Sequence, residues 1–366
     1  MKVLFLTNIP SPYRVDFFNA LGKLCDLTVL YELGYASDRN KKWKYDKARN
    51  FKEIFLKGKR VGADSAICFS VLKYLKDNNY DVIVIGGYST PTGMLSILYL
   101  NMIKREFILN CDGGFPKKDN KLKYFIKKYF ISSAKLWLST GKETNKYLIN
   151  YGADKNNIRI YPFTSINEKD LSSEKIDNCE KIKIKDNLGI TEKKVVISVG
   201  QFIHRKGYDI LLKACENLDK NIGVYIIGAN TKDECIKLKE KYKMENIHFL
   251  EFKSKNELKK YYKVADLFVL PTREDIWGLV INEAMAYAIP VVTTKKCIAG
   301  IELLSYEYSV LVESENYIDL RKIMNEILSN EDLSNKISSE NKKIIKNYTI
   351  ERMADVHYKI FKEIKQ

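Results

Sequence analysis

From Pro271 to Ala286 the chain reads Pro-Thr-Arg-Glu-Asp-Ile-Trp-Gly-Leu-Val-Ile-Asn-Glu-Ala-Met-Ala, which sets Asp275 and Glu283 eight residues apart around Gly278. The pattern predicts a strand ending at Pro271, a polar loop, and a helix opening near Leu279. Backbone N–H groups at such a helix start attract a phosphate or another anion. Two carboxylates beside it suit the hydroxyls of a sugar and a ribose. Taken alone, an ordinary strand-to-helix turn with Glu283 facing solvent explains the same residues. Upstream, Val199-Gly200-Gln201-Phe202-Ile203-His204-Arg205-Lys206-Gly207 reads as a strand, a glycine turn, two cations and a helix beginning after Gly207. That layout meets the needs of a pyrophosphate, with cations for its charge and amides around its oxygens.

Asp275-x7-Glu283, followed by Ala284-Met285-Ala286 and Pro290-Val291-Val292, resembles the E-x7-E signature of retaining glycosyltransferase family 4. Residues 199–207 resemble that family's V-G-R-x-x-x-x-K-G loop, whose Arg and Lys grip the donor diphosphate. The resemblance covers most of the chain. It implies an α/β GT-B fold, two Rossmann-like doubly wound parallel-sheet domains facing a central cleft. It also implies retaining, metal-independent transfer of a hexose or N-acetylhexosamine from a nucleotide sugar, with a UDP-sugar as the default. The expected acceptor is a glycan or an undecaprenyl-type lipid-linked sugar of surface polysaccharide biosynthesis. The implied donor set is Gln201, Arg205, Lys206, Gly228, Asp275, Trp277, Gly278, Leu279, Val280 and Glu283, with Asp275 on the sugar and Glu283 on the ribose.

Three departures from the family pattern matter. Asp275 stands where the family has Glu, and Gln201 where it has Arg, which leaves Lys206 and Arg205 to meet the diphosphate charge. The family often has a His after the fifth strand; here that stretch is Asn110-Cys111-Asp112-Gly113-Gly114-Phe115. Asp112 takes the position by default, beside glycines that allow close backbone approach. A turn-forming Asp before two glycines is an alternative reading. Lys206, Asp275 and Asp112 are thus the catalytic candidates. In Asn8-Ile9-Pro10-Ser11-Pro12-Tyr13-Arg14, relatives carry a loop near the donor phosphates and the acceptor, so Tyr13 and Arg14 are expected there, Arg14 facing an anion. The prolines and the lack of a suitable G-x-G-x-x-G argue against a dinucleotide site. No D-x-D sequence and no His/Cys cluster with zinc spacing is present, so no metal and no other cofactor is expected.

Between Lys117 and Phe130, Leu122, Phe125, Ile126, Tyr129 and Phe130 fall on one helical face beside Lys121, Lys123, Lys127 and Lys128. Two readings stand: a basic amphipathic helix on an anionic membrane, or an apolar stripe packed on a sheet with solvated lysines. The membrane reading is preferred because the resembling enzymes often act on lipid-linked acceptors. Nucleic acid is disfavoured, since the aromatics form a helical stripe instead of a stacking platform.

These residues need elements to hold them. In the first half, strands are expected at 3–6, 27–31, 82–85, 107–109, 136–138 and 158–161, and helices at 15–24, 65–77, 92–103, 122–131 and 142–150. Alternation of this kind means βαβ crossovers and parallel sheets. A polar stretch from Ser165 to Lys194 breaks the rhythm, dividing a domain 1–165 from a nucleotide-sugar domain 166–348. The second half repeats the pattern, with strands at 195–199, 224–227, 247–250, 267–270, 291–293 and 310–312 and helices at 210–218 and 234–243. A final helix, 350–364 within a tail 349–366, is expected to cross back onto the first domain. Ligands of such sheets sit at the carboxyl ends of the strands, so the active site is expected to straddle both halves.

The 366 residues carry a net charge of +16, are 45% hydrophobic and 30% charged, and contain little Gly or Pro. That composition excludes collagen-like and disordered chains. Residues 1–170 hold 29 Lys/Arg against 16 Asp/Glu, whereas 171–366 hold 33 against 30. The basic half suggests an anionic partner, with composition bias as the alternative. Seven scattered cysteines, 25, 68, 111, 179, 215, 235 and 297, fit neither a disulfide framework nor a zinc site. No apolar run is long enough to span a bilayer. The expected setting is the cytoplasm, peripheral on the inner face of the cell membrane. Two rival functions remain: a sugar-nucleotide 2-epimerase of the same fold, and a non-catalytic basic membrane-binding module.

Overall fold

The computed structural model describes residues 1–38, 49–171, 177–228, 233–242, 244–304, 306–308 and 310–365. The chain divides into two compact units, Met1–Asn167 with Tyr348–Gln366, and Glu168–Asn347.

The first unit runs β1 (Lys2–Thr7), α1 (Pro12–Leu21), β2 (Asp26–Tyr31), β3 (Lys52–Phe55), β4 (Lys59–Arg60), β5 (Ala66–Ile67), α2 (Val71–Leu75), β6 (Val82–Ile85), α3 (Pro91–Met102), β7 (Ile108–Cys111), α4 (Lys121–Ser132), β8 (Leu136–Ser139), α5 (Lys142–Asn150) and β9 (Ile158–Ile160). Seven of these strands form a sheet in the order β3-β2-β1-β6-β7-β8-β9, every pair parallel. Runs such as Val3-Leu4-Phe5-Leu6 are buried on both faces, as strands between two helical layers must be. The strand order reverses between β1 and β6, and the loops after those two strands therefore diverge at a crevice.

The second unit runs α6 (Asn178–Leu188), β10 (Lys194–Val199), α7 (Tyr208–Ala214), β11 (Ile222–Ile227), α8 (Asp233–Lys241), β12 (Ile247–Leu250), α9 (Lys255–Val264), β13 (Leu267–Leu270), α10 (Leu279–Ala286), β14 (Val291–Thr294), α11 (Ile298–Leu303), β15 (Leu311–Val312), α12 (Tyr317–Ser329) and α13 (Glu331–Ile345). Its sheet has the order β12-β11-β10-β13-β14-β15, again all parallel, with the reversal between β10 and β13. The last helix, α14 (Ile350–Lys365), belongs to the first unit. The Ile350 N–H donates to the Ile166 carbonyl at 2.7 Å, and His357 packs its ring 4.7 Å from that of Phe17 on α1.

Two local expectations fail. The stretch 65–77 is not one helix: Ala66–Ile67 pairs antiparallel with Lys59–Arg60, and only Val71–Leu75 is helical. Distant polar groups hold it extended, since the Ala66 N–H donates to Glu32 at 3.0 Å and the Cys68 N–H to the Thr92 hydroxyl at 3.1 Å. The polar break 165–194 contains α6, which buries no residue. Its ends do the work, with Asp177 accepting from the Glu180 N–H at 2.7 Å and Gly189 closing the helix in the left-handed region. The helix expected at 234–243 is α8; Lys243 lies outside the described residues.

Candidate functional site

The 3-10 turn His204–Lys206 follows β10, and the loop Pro271–Gly278 follows β13, so both sit at the carboxyl ends of the two strands that flank the second unit's reversal. The Lys206 ammonium donates to Asp275 Oδ2, with the side chains 12% and 9% exposed. Arg205 Nη1 lies 3.4 Å from the other Asp275 oxygen and donates to the Glu274 carbonyl at 2.7 Å. The loop is pinned through its backbone: the Asp275 N–H donates to Lys296 at 2.7 Å, and its carbonyl accepts from Ile298 at 3.1 Å.

The turn is braced by Arg273, which sequence reading passed over. It donates to both Asp209 oxygens at 2.8 and 2.7 Å and to the His204 carbonyl at 2.7 Å. Burial alone would raise the Asp209 pKa, but the Arg273 hydrogen bonds and charge outweigh it and hold the carboxyl below its usual value.

Gly278, with φ of +100°, caps α10 and lets the chain enter the helix. The first amides of α10, at Leu279 and Val280, have no preceding turn of carbonyls to meet. Gly228 follows β11, where a Cβ would come 1.9 Å from the Gly200 carbonyl, so its requirement is close backbone approach. Glu283 accepts from the Tyr262 hydroxyl at 2.9 Å and is half-buried, not loose in solvent. Gln201 is half-buried after β10. Trp277 needs correction as a donor contact: it is 2% exposed, and its indole N–H donates inward to Asn282 at 2.9 Å. The ring shapes the loop from beneath.

In the first unit, Asp112 follows β7 and gathers three partners. Arg14 donates to Oδ2, while Tyr161 and Asn110 each donate to Oδ1 at 2.8 Å. Asp112 is therefore not merely turn-forming, and Arg14 is not the free anion ligand expected, since it is 3% exposed and committed to Asp112. Burial by itself would lower the Arg14 pKa, yet the Asp112 carboxylate outweighs it and raises it. Burial and the neighbouring Asp112 push the Tyr161 phenol well above its ordinary value, so it stays a donor. Tyr13 is half-buried with its ring edge-on to Phe163, centroids 5.8 Å apart. Gly114 serves packing: a Cβ there would meet the Tyr147 ring at 2.8 Å. No local sequence signal links Arg14, Asp112 and Tyr161, which only the sheet brings together.

The α4 stripe is also divided. Leu122, Phe125, Ile126 and Tyr129 are 72%, 62%, 43% and 47% exposed, so this face does not pack on the sheet. Phe130 is a correction, being buried with Ile131 against the core. Lys127 is another, because it turns inward to Asp119 at 2.7 Å and the Tyr151 hydroxyl at 3.2 Å. Lys121, Lys123 and Lys128 remain exposed beside the apolar face. Met102 and Leu98 of neighbouring α3 are exposed too, with Asn101 donating to Ser133 at 3.0 Å. Among the described residues, no helix is long and apolar enough to cross a membrane.

Residues 180–344 match the family model described as glycosyl transferases group 1. An uncharacterized glycosyltransferase of Methanocaldococcus jannaschii is 26% identical over 282 residues, 76% of this chain and 74% of that protein. The lipopolysaccharide glucosyltransferase WaaG of Escherichia coli is 29% identical over 171 residues, 45% of each chain. Among solved structures, Anabaena HepE in complex with UDP superposes with a TM-score of 0.80 at 15% identity, covering 99% of this chain and 100% of that one. With the strand orders above, these similarities give the chain the GT-B fold and mark residues 180–344 as similar to glycosyl transferases group 1.

Proposed function

We propose that the protein transfers a hexose or N-acetylhexosamine, with retention of configuration and without a metal ion, from a nucleotide-diphosphate sugar to a glycan or lipid-linked sugar acceptor. The observation that supports this most is the Lys206–Asp275 pair, with Arg205 beside it and α10 opening after the same loop. A diphosphate competes with Asp275 for Lys206 and meets the amides at Leu279 and Val280. Asp275, once released, accepts from the donor sugar, and Glu283 accepts from the ribose. The bond from the anomeric carbon to the diphosphate oxygen breaks as the acceptor oxygen bonds to that carbon. The acceptor proton passes to the departing diphosphate, whose charge Lys206 and Arg205 balance. UDP is the preferred nucleotide, in keeping with the UDP complex of HepE.

In the same proposal the exposed α4 face docks on the inner surface of the cell membrane. Apolar side chains enter the interface while Lys121, Lys123 and Lys128 meet anionic headgroups. The lipopolysaccharide named for WaaG supports an acceptor of the cell surface.

The test is nucleotide release from UDP-, GDP- and ADP-sugars, with and without EDTA, using a membrane-lipid extract as acceptor. Release from one donor that requires the extract, survives EDTA and disappears in Lys206→Ala and Glu283→Ala is the expected result. Release without any glycosylated product would point to an epimerase or hydrolase instead, and no nucleotide binding at all would sink the donor site.

A further inference from the structure

A cavity of about 260 Å³ opens at the carboxyl ends of β1, β2, β6 and β7, where the first unit's strand order reverses. Its wall includes Asn8, Arg14, Glu32, Asp64, Thr90 and Asp112. Arg14 and Asp112 neutralise each other. Glu32 and Asp64 have no cation partner among the described residues: Glu32 accepts from the Thr90 hydroxyl at 2.5 Å and the Ala66 N–H at 3.0 Å, and Asp64 from the Asn8 amide at 2.8 Å. The cavity is thus acidic within a half of the chain whose overall balance is strongly basic. Arg14 Nη1, buried and without a hydrogen-bond partner, leaves one unused donor in the wall.

From this arrangement we infer that the cavity is an acceptor subsite for an uncharged or amino-bearing sugar ring, and that Glu32 and Asp64 exclude phosphorylated or carboxylated rings. Carboxylates accept hydrogen bonds from hydroxyl or ammonium groups, and the spare Arg14 N–H can donate to a ring or hydroxyl oxygen. A phosphate or uronate would set like charges against Glu32 and Asp64 in a partly desolvated space. The volume lies just under the roughly 300–1,000 Å³ of drug-sized pockets, which suits one ring and not an oligosaccharide. Thr90 and the Ala66 amide hold the buried Glu32 carboxylate in place, while the exposed Asp64 accepts from Asn8.

The inference rests on the transferase reading, and the test separates the two. Saturation-transfer NMR on the full chain would use methyl α-glucoside, glucosamine, glucuronate and glucose 6-phosphate as probes, with UDP binding followed by calorimetry. The expected result is that the two anionic sugars bind at least ten-fold more weakly than the neutral and amino sugars. In Glu32→Gln and Asp64→Asn that gap should shrink to about three-fold while UDP still binds, which also reports folding. Equal or tighter binding of the anionic sugars, or no sugar binding by a protein that binds UDP, overturns the inference. An unchanged gap in both variants overturns it as well. Sugar selectivity in a protein that does not bind UDP would leave the subsite standing and remove the transferase reading.

Discussion

Under the proposed transfer, the Lys206–Asp275 pair has a structural and a catalytic job that substitution can separate. Both side chains are largely buried, so removing the lysine strands a carboxylate that only Arg205 can partly compensate. Lys206→Ala should therefore cost about 1–3 kcal/mol of stability, and it should lower kcat by roughly 10²–10³-fold, the scale of losing one charge-stabilising donor. The double variant Lys206→Ala with Asp275→Asn should recover most of the stability in urea unfolding but none of the turnover. Recovery of turnover would mean that Lys206 only neutralises Asp275. Glu32 gives a second residue-level prediction. Burial chiefly raises its pKa from 4.5 to about 6, so the stability present below pH 4.5 is lost as the pH rises through 6. The change amounts to roughly 2 kcal/mol. Relative to Glu32→Gln, the wild type should lose that much between pH 4 and 7 in denaturant titrations. Lys206, Asp275 and Glu283 were legible because a strand, a loop and a helix start follow one another in sequence. Arg14 and Asp112 were named from the loops that carry them, but their pairing with each other, and the presence of Glu32 and Asp64 in the same cavity, depend on segments far apart in sequence that only the fold brings together.

Helices and strands divide along the same line. Strands of the sheet interiors were readable from apolar runs that burial on both faces demands, as in Val82–Ile85 and Leu267–Leu270. The hairpin Lys59–Arg60 and Ala66–Ile67 was not, because distant groups such as Glu32 and Thr92 hold its backbone. α4 shows a subtler limit: periodicity revealed an apolar stripe but could not say which way it faced. Its core contacts come from Tyr124, Lys127, Phe130 and Ile131, and its outer face from Leu122, Phe125, Ile126 and Tyr129. Leu122→Asp with Phe125→Asp should reduce partition to anionic vesicles more than ten-fold in sedimentation while leaving the melting temperature unchanged within about 2 °C, since surface changes usually stay within ±0.5 kcal/mol. A collapse in melting temperature would mean that the stripe is structural. α14 carries its own pH signature through His357, which lies among the rings of Phe17, Tyr161 and Phe361 with Nε2 unpartnered. Burial lowers its pKa from 6.5 to about 3. The neutral ring thus supports the fold above pH 6.5, and that support is lost as the pH falls toward 3, on the order of 5 kcal/mol in all. His357→Phe should unfold at distinctly lower pH than the wild type, followed by circular dichroism.

At the scale of the whole molecule, the proposed membrane docking would draw on separable contributions from charge and apolar surface. The net charge of +16 resides mainly in residues 1–170, and the exposed α4 stripe lies in the same half, next to Lys121, Lys123 and Lys128. Each such lysine is worth about 1 kcal/mol near an anionic surface, a contribution that salt erases as the Debye length shrinks from about 10 Å at 0.1 M to about 3 Å at 1 M. The apolar contribution does not fade in the same way, because salts excluded from protein surfaces leave it intact or strengthen it. Binding to anionic vesicles should therefore fall steeply between 0.1 and 1 M salt to a floor equal to the binding on neutral vesicles. Replacing Lys121, Lys123 and Lys128 with Gln should lower the low-salt affinity by about 10²-fold, since three such lysines amount to roughly 3 kcal/mol, while keeping that floor. The Leu122→Asp, Phe125→Asp variant should do the reverse and remove the floor while keeping a salt-sensitive remainder. A floor that survives both sets of changes would assign membrane attachment to a different surface and leave the α4 stripe for a protein partner.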